Sequence, residues 1–381
     1  MKMLDYVVLA NKRLRENLQR ESDLVTPLVS RFCSMGYGAL RIVASGSSRH
    51  AAECARPYME RTLGMPVEVI TPESYCRGVS PSPLRALNIA VSQSGYSTNT
   101  IRALDVMAER GDDCVALTGN LDTPLCEHVD IALDYGVGIE SVDFVTMGVL
   151  TLIEYLLLFS VRSAHGLGRL SDEDLSQAHA DILQALDAHE RMLEIANEYA
   201  TGRMLALSRP APVVVVGNGP NLGVAQETAL KVMETLKYPA MWFEGEEFIH
   251  GPELQITPDY HIVILDDPEG SERLAKTARL LSHVSESVCF VTSNPRGDAW
   301  ELVVPRLTDP LLCSIPNLAL PQTVAALLTE VLGRWEKHAL LARVLDEFDS
   351  KAAGYAESVR HLEQDAAKEY GDAAGSKTAS R

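Results

Sequence analysis

Two short apolar runs, each ending in glycine and each leading directly into a helical pattern, constrain this chain more than any other feature. They are "ALRIVASG" (39–46) and "APVVVVGNG" (211–219). A short run that is apolar almost throughout, without strict alternation, reads as a parallel strand buried on both faces. Laid over one another without a gap, the runs and the segments that follow them bring Gly46 onto Gly219, Ala52 onto Ala225, Leu63 onto Leu236, Pro66 onto Pro239 and Glu73 onto Glu246. That is an internal repeat. Second runs follow, "ALNIAVSQSG" (86–95) and "YHIVILDDPEG" (260–270), and then third runs, "DDCVALTGN" (112–120) and "ESVCFVTSN" (286–294), each separated from the one before by a helical pattern. Strand, helix, strand in this order predicts two related α/β units, each a parallel sheet covered by helices on both faces.

The rest of the chain divides around these units. Residues 1–38 read as an N-terminal helical segment, 39–170 as the first unit, 171–208 as a charged helical connection, 209–340 as the second unit, and 341–381 as a polar, helix-prone tail fraying at "GDAAGSKTASR". "NLALPQTVAALLTEVLGRW" reads as an apolar helix packed on the second sheet. Pro57 falls inside the helix of the first repeat, at a cost of ~3 kcal/mol unless the helix kinks there.

Composition excludes several classes of function. A chain of 381 residues with 46% hydrophobic content is long enough for two cores of ordinary size. It carries no uninterrupted apolar run long enough to span a membrane, and its N-terminus lacks the apolar core of a signal peptide, which predicts a cytoplasmic protein without a membrane partner. A net charge of −18 and the absence of a basic stripe argue against nucleic acid. The seven cysteines are scattered and never in CxxC spacing, so neither a disulfide framework nor a metal site is expected. Nor does GxxxxGK[ST] or GxGxxG occur, which disfavours nucleoside triphosphates and dinucleotide cofactors; no cofactor is expected.

Ligands of open parallel sheets sit beyond the carboxyl ends of the strands, so the loops there carry the functional reading. "SGSSRH" (45–50) follows the first strand: Gly46 lets the backbone turn, and Ser47 or Ser48 can cap the helix. "SQSGYSTNT" (92–100) offers Ser92, Ser94, Ser97, Thr98 and Thr100 as hydroxyl donors, with Gln93 beside them. Hydroxyls and helix-start N–H groups without a cation suit a phosphate monoester that must also be released. In the second unit the equivalent loops are "GNGPNLG" and "LDDPEG", where acids replace hydroxyls.

On the helix after "GNGP", Glu227, Lys231 and Glu234 stand at i, i+4 and i+7 and share a face. The plain reading of that spacing is a solvated stripe. Its neighbourhood argues for more, since His250 follows in the loop "FEGEEFIHGPEL" (243–254), stiffened by Gly251 and Pro252. A histidine and a partly desolvated carboxylate can open a sugar ring and move a proton beside a carbonyl.

Taken together, "SGSS", "SQSG", "ETALKVMET" and "EEFIHGP" resemble the sugar isomerase (SIS) domain family, over about residues 39–334. The resemblance is to the double-SIS isomerase half of glucosamine-6-phosphate synthase and to the fructosamine (Amadori) 6-phosphate deglycases. It implies two flavodoxin-like three-layer α/β sandwiches. It implies further that Ser48, Ser92, Gln93, Ser94 and Ser97 hold the sugar phosphate, with Gly46 and Ser47 as additional contacts. Glu234 would carry the proton between C1 and C2, His250 would open the ring, and Glu227 and Lys231 would support them. In the family the histidine loop reaches into a neighbouring subunit, which implies a homodimer. Departures stand beside these matches. Met147 in "ESVDFVTMG" replaces a lysine of many relatives, Tyr96 stands where synthases usually place an acid, and the family's C-terminal lysine is represented by Lys377 or, less suitably, Lys368. The implied function is a ketosamine 6-phosphate deglycase, with a glucosamine-6-phosphate deaminase or aldose–ketose isomerase as the nearest alternative. A non-catalytic phosphosugar sensor is a third reading, although a sensor would be expected to have lost the Glu/His pair.

Overall fold

The computed structural model describes residues 1–78, 84–142 and 144–374. The chain divides into two compact units. The first comprises 1–49, 68–155 and 338–381, and the second 50–67 and 156–337.

Five strands form the sheet of the first unit: β1 (Ala39–Val43), β2 (Val67–Ile70), β3 (Ala86–Val91), β4 (Cys114–Thr118) and β5 (Ala132–Asp134), in the order β2-β1-β3-β4-β5. β1, β3 and β4 are the apolar runs expected from sequence. They pair in parallel register, with Ile42 opposite Ile89 and Ile89 opposite Val115. One face of the sheet packs on helix Thr98–Arg110, which buries Thr100, Ala103, Leu104 and Met107, the i, i+3, i+4, i+7 stripe of an amphipathic helix. That helix ends at Gly111, whose positive φ of 70° closes the last turn. The N-terminal helix Met3–Gln19 belongs to the same unit, burying Met3, Tyr6, Val7, Ala10 and Leu14 and donating from Asn17 Nδ2 to the Gly136 carbonyl at 3.1 Å.

In the second unit the strands are β6 (Val213–Gly217), β7 (Ala240–Phe243), β8 (His261–Leu265), β9 (Val288–Thr292) and β10 (Glu301–Val303), in the order β10-β9-β8-β6-β7. Read from β7, the order repeats that of the first sheet strand for strand. The sequence repeat is therefore a repeat of topology, and both sheets have the 2-1-3-4-5 order of flavodoxin-like folds. Val214, Val216, Ile262, Ile264 and Phe290 form the core with Leu274, Ala278 and Leu281 of helix Glu272–Leu281.

The connection expected at 171–208 is helix Asp172–Gly202, opened by a reciprocal cap between Ser171 and Asp174, followed by the short turn Met204–Leu207. Helix Ala319–Leu332 packs chiefly on this long helix and on the turn 232–236, not directly on the sheet as its apolar sequence suggested. Pro57 is accommodated inside the unbroken helix Gly46–Leu63. Met147–Gly166 and Pro310–Leu332 have the length and composition of membrane spans, yet 94% and 83% of these windows are buried within the protein, which makes them core segments. The expected fraying at the extreme C-terminus lies outside the described residues beyond 374.

Burial in the central strands and exposure at the edge set a measurable contrast. Ile264→Ala removes a fully buried side chain from β8 and is expected to cost ~2–5 kcal/mol. Val303→Ala on the half-exposed strand β10 should cost no more than about 0.5 kcal/mol. Denaturant midpoints of the two variants would check this.

Candidate active site

Beyond the carboxyl ends of β1 and β3, where the strand order of the first sheet reverses, lies a cavity of about 230 Å³. Ser47, Ser48, Ser92, Gln93, Ser94 and Ser97 all line it, as expected from sequence. One detail differs. The helix begins at Gly46, so Ser47 and Ser48 stand in its first turn, and it is Ser45 that precedes it. Gly46 itself takes a positive φ of 54°, the backbone turn expected of it, but is not among the lining residues.

The serine loop is held in shape by its own hydroxyls. Ser92 Oγ donates to Ser97 Oγ at 3.0 Å, and Ser94 Oγ accepts from the Tyr96 N–H at 3.2 Å. Thr98 turns away and donates from Oγ1 to the Asp349 carbonyl at 2.7 Å, whereas Thr100 lines the cavity.

Gln93 is fixed by a residue that sequence reasoning missed. Buried Glu140 accepts from Gln93 Nε2 at 2.7 Å and from three backbone N–H groups, those of Thr146 (2.9 Å), Met147 (2.6 Å) and Gly148 (3.1 Å). These N–H groups open helix Met147–Gly166 and have no acceptor within it, so the carboxylate satisfies them and also faces the positive end of the helix dipole. Gly148 is required here, because a Cβ would come within 1.9 Å of Gln93 Oε1. Met147, which replaces a lysine of many relatives, does not line this cavity. It is buried and borders a separate space of about 120 Å³.

A cation does enter the cavity, contrary to the expectation from the serine loops. Lys351 donates from Nζ to Ser94 Oγ at 3.0 Å. It is carried by a C-terminal strap that pairs antiparallel with the serine loop: Lys351 bridges to Ser97, Ala352 N–H donates to the Tyr96 carbonyl at 2.8 Å, and Tyr96 and Tyr355 pack with ring centroids 5.7 Å apart. Much of Lys351 remains open to solvent, but its surroundings are dense enough for burial to hold the ammonium below its ordinary pKa. Lys368 is instead paired with Asp365 at 2.8 Å on its own helix, and Lys377 lies outside the described residues. No motif marks Lys351. Only the fold brings it to Ser94.

In the second unit, Glu227 and Lys231 have no exposed surface and pair at 3.0 Å. Lys231 Nζ also donates to Glu234, which stands in the π turn Val232–Leu236 and keeps a quarter of its side chain exposed. The solvated-stripe reading of this spacing is thereby excluded. His50 Nδ1 lies 2.8 Å from the other oxygen of Glu227. Burial works against the charge on Glu227, but Lys231 and His50 outweigh it and hold the carboxyl below its ordinary pKa. Burial likewise opposes the Lys231 charge and is outweighed by Glu227 and Glu234, which raise it. For Glu234, burial prevails over Lys231 and raises the carboxyl above the usual range.

His250 is exposed on its loop. The loop is ordered by its own acids. Glu244 accepts from the N–H groups of Glu246 and Glu247, Glu253 accepts from that of Gly251, and Glu246 pairs with Arg273 at 2.9 Å. Leu254 beside it is 84% exposed.

The family model of the SIS domain matches residues 39–161 and 206–299, and the chain belongs to that family. A glutamine–fructose-6-phosphate aminotransferase (isomerizing) of Halobacterium salinarum is 29% identical over 242 residues, 63% of this chain and 40% of that protein. The chain thus spans less than half the length of this curated relative. Among solved structures, a protein of Clostridium difficile 630 matches with a TM-score of 0.81 at 23% identity, covering 91% of this chain and 98% of the other. A glucosamine-6-phosphate deaminase of Thermotoga maritima matches with a TM-score of 0.69 at 17% identity, covering 87% and 95%. At these identities the structural matches establish the shared fold.

Breaking the buried pair should be costly. Glu227→Gln leaves the Lys231 ammonium with Glu234 as its remaining anion and is expected to destabilise the protein by ~3 kcal/mol, read as a lower denaturant midpoint at unchanged slope.

Proposed function

We propose that this protein is a phosphosugar-processing enzyme that removes the amine from a ketosamine (fructosamine) 6-phosphate, releasing a hexose 6-phosphate. The observation that carries the reading is the cavity at the β1/β3 switch point, where the hydroxyl and amide side chains of the serine loops converge with the Lys351 ammonium, and the carboxylate that lines it, Glu140, is engaged by N–H donors. Hydroxyls, helix-start N–H groups and one cation suit a phosphate monoester.

Proton transfer is assigned to the second unit. His250 assists ring opening of the sugar. Glu234 then takes a proton from C1 of the open-chain ketosamine while the C2 oxygen takes one from water, giving an enaminol, and returns its proton to C2, giving the protonated imine of the aldose. Water adds to C1 of that imine and the C–N bond breaks, leaving the hexose 6-phosphate and the free amine. Because burial raises Glu234 above the usual carboxylate range and it still reaches the surface, it is suited to act as a base that takes a proton and gives it back. His250 stands on an exposed, internally braced loop, a placement that favours a homodimer in which it serves the partner's site. Free cysteines throughout fit a cytoplasmic enzyme.

Deamination of glucosamine 6-phosphate or aldose–ketose isomerisation would use the same two residues, and products separate the readings. Glucose 6-phosphate formed from fructosamine 6-phosphates supports the deglycase. Fructose 6-phosphate formed from glucosamine 6-phosphate would replace it with the deaminase, and ligand binding without turnover would leave a sensor. Glu234→Gln should lower kcat ~10²- to 10⁴-fold with binding largely kept, and near-normal turnover would sink the assignment. The acid limb of kcat should fall above the ordinary glutamate value of about 4.3, since Glu234 must be ionised to accept the proton.

Lys351 supplies a second, opposite dependence. Its ammonium is lost as pH rises, and burial brings that loss below the ordinary value of about 10.4, so affinity for glucose 6-phosphate should weaken on the alkaline side. Lys351→Met should weaken binding by ~1.5–3 kcal/mol at neutral pH and remove the alkaline fall, as calorimetric titration at several pH values would show.

A further inference from the structure

We infer that His50 is a positioning residue for Glu234, acting through Glu227 and Lys231; the inference rests on the assignment of Glu234 as the base. These four side chains form one continuous row. Glu227 can only accept, so the His50 ring donates from Nδ1, which fixes its tautomer, at 2.8 Å to Glu227 Oε2. Glu227 Oε1 accepts from Lys231 Nζ at 3.0 Å, and the same Nζ donates to Glu234 Oε1. The row is closed at one end and open at the other: Glu227 and Lys231 have no exposed surface, His50 is about a tenth exposed at its side chain, and Glu234 is a quarter exposed.

Each link depends on the one behind it. Lys231 is a single ammonium between two carboxylates, and how it is shared depends on how strongly Glu227 attracts it. With a donor on its far oxygen, Glu227 is held in one orientation and part of its charge is already compensated, which leaves Lys231 free to reach Glu234. Without that donor, the Glu227 carboxylate would lose a charge-compensating hydrogen bond in a buried site and would turn to take more of the ammonium for itself. Lys231 would then withdraw from Glu234, and the base would lose the contact that fixes its side chain at the open end. A small displacement of a catalytic group from a distance of several residues is enough to cost ~10²-fold in rate.

Two variants test this. His50→Gln keeps a donor able to reach Glu227, and His50→Leu removes it at similar bulk. The first readout is the ¹H–¹⁵N signal of the Lys231 ammonium in lysine-labelled protein, assigned by its loss in Lys231→Arg. The second is kcat and KM with a fructosamine 6-phosphate, with glucose 6-phosphate affinity as a control. The expected result is that His50→Leu shifts the Lys231 signal and lowers kcat ~10²-fold with KM and affinity within about twofold, while His50→Gln keeps the wild-type signal and most of kcat. An unchanged Lys231 signal in His50→Leu, or a rise in KM without a fall in kcat, would overturn the inference. If His50→Leu does not fold, His50→Gln decides alone: a retained signal supports the row, and a displaced one refutes it. Should the wild-type protein turn over none of these substrates, the proposed function falls, while the Lys231 signal still decides whether His50 governs the row.

Discussion

A lysine with no exposed surface, suspended between two carboxylates, is the interaction around which the second unit is arranged. An ammonium taken out of water is tolerated only when anions stand within hydrogen-bond reach. Glu227 meets this one helical turn before Lys231, and Glu234 meets it from the π turn that follows. That pairing is what lets helix Pro220–Lys231 be enclosed on nearly all sides although it carries Asn, Gln, Glu, Thr and Lys. It also explains a glycine. At Gly223 a Cβ would fall 2.6 Å from the Cys54 backbone nitrogen, so the close approach of helix 46–63, which brings His50 to Glu227, is open only to the smallest residue.

The first unit meets the opposite requirement if its cavity takes the anion proposed above, in a chain whose net charge is −18. Local arrangement prevails over global charge because Glu140, the carboxylate nearest the serine loop, is fully engaged. Its oxygens accept from three helix-start N–H groups and from Gln93. What remains directed at the cavity is a set of hydroxyls, an amide held in one orientation, and Lys351. Here a buried acid does not repel the ligand. It organises the donors that would bind it.

How far the sequence could be read follows from the same physics. The six apolar runs seen at the outset are β1, β3, β4, β6, β8 and β9, the inner strands, buried on both faces and therefore continuous in hydrophobicity. The four strands not anticipated, β2, β5, β7 and β10, are the edges of the two sheets. "VEVI", "ALD", "AMWF" and "ELV" are short and partly exposed, and nothing in their composition separates them from loop. Glu227, Lys231 and Glu234 were visible as a spacing, but the spacing is the same on a solvated face, and burial alone distinguishes the two. His50 and Lys351 leave no periodic trace, since each takes its place only by meeting a residue far away in the chain, Glu227 and Ser94 respectively.

The repeat then shows how one topology supports two tasks. In the second sheet the switch point lies between β6 and β8, the counterpart of the cavity in the first unit, but protein groups fill it. Asn221 donates to the Asp266 carbonyl at 2.9 Å and accepts from Asn317 at 2.9 Å, while the Asp266 carboxylate accepts from Thr292 Oγ1 and from the Ser271 N–H. The space left there is about 20 Å³, against about 230 Å³ in the first unit. A crevice closed by its own hydrogen bonds has no room for a sugar phosphate. With its ligand position closed, the second unit is free to keep a buried charge row on the helix that follows β6, where the first unit has serines in the first turn of the equivalent helix after β1. The two sheets share one strand order, and the exchange of hydroxyls for internally paired acids at one switch point is what the proposed division between phosphate binding and proton transfer rests on.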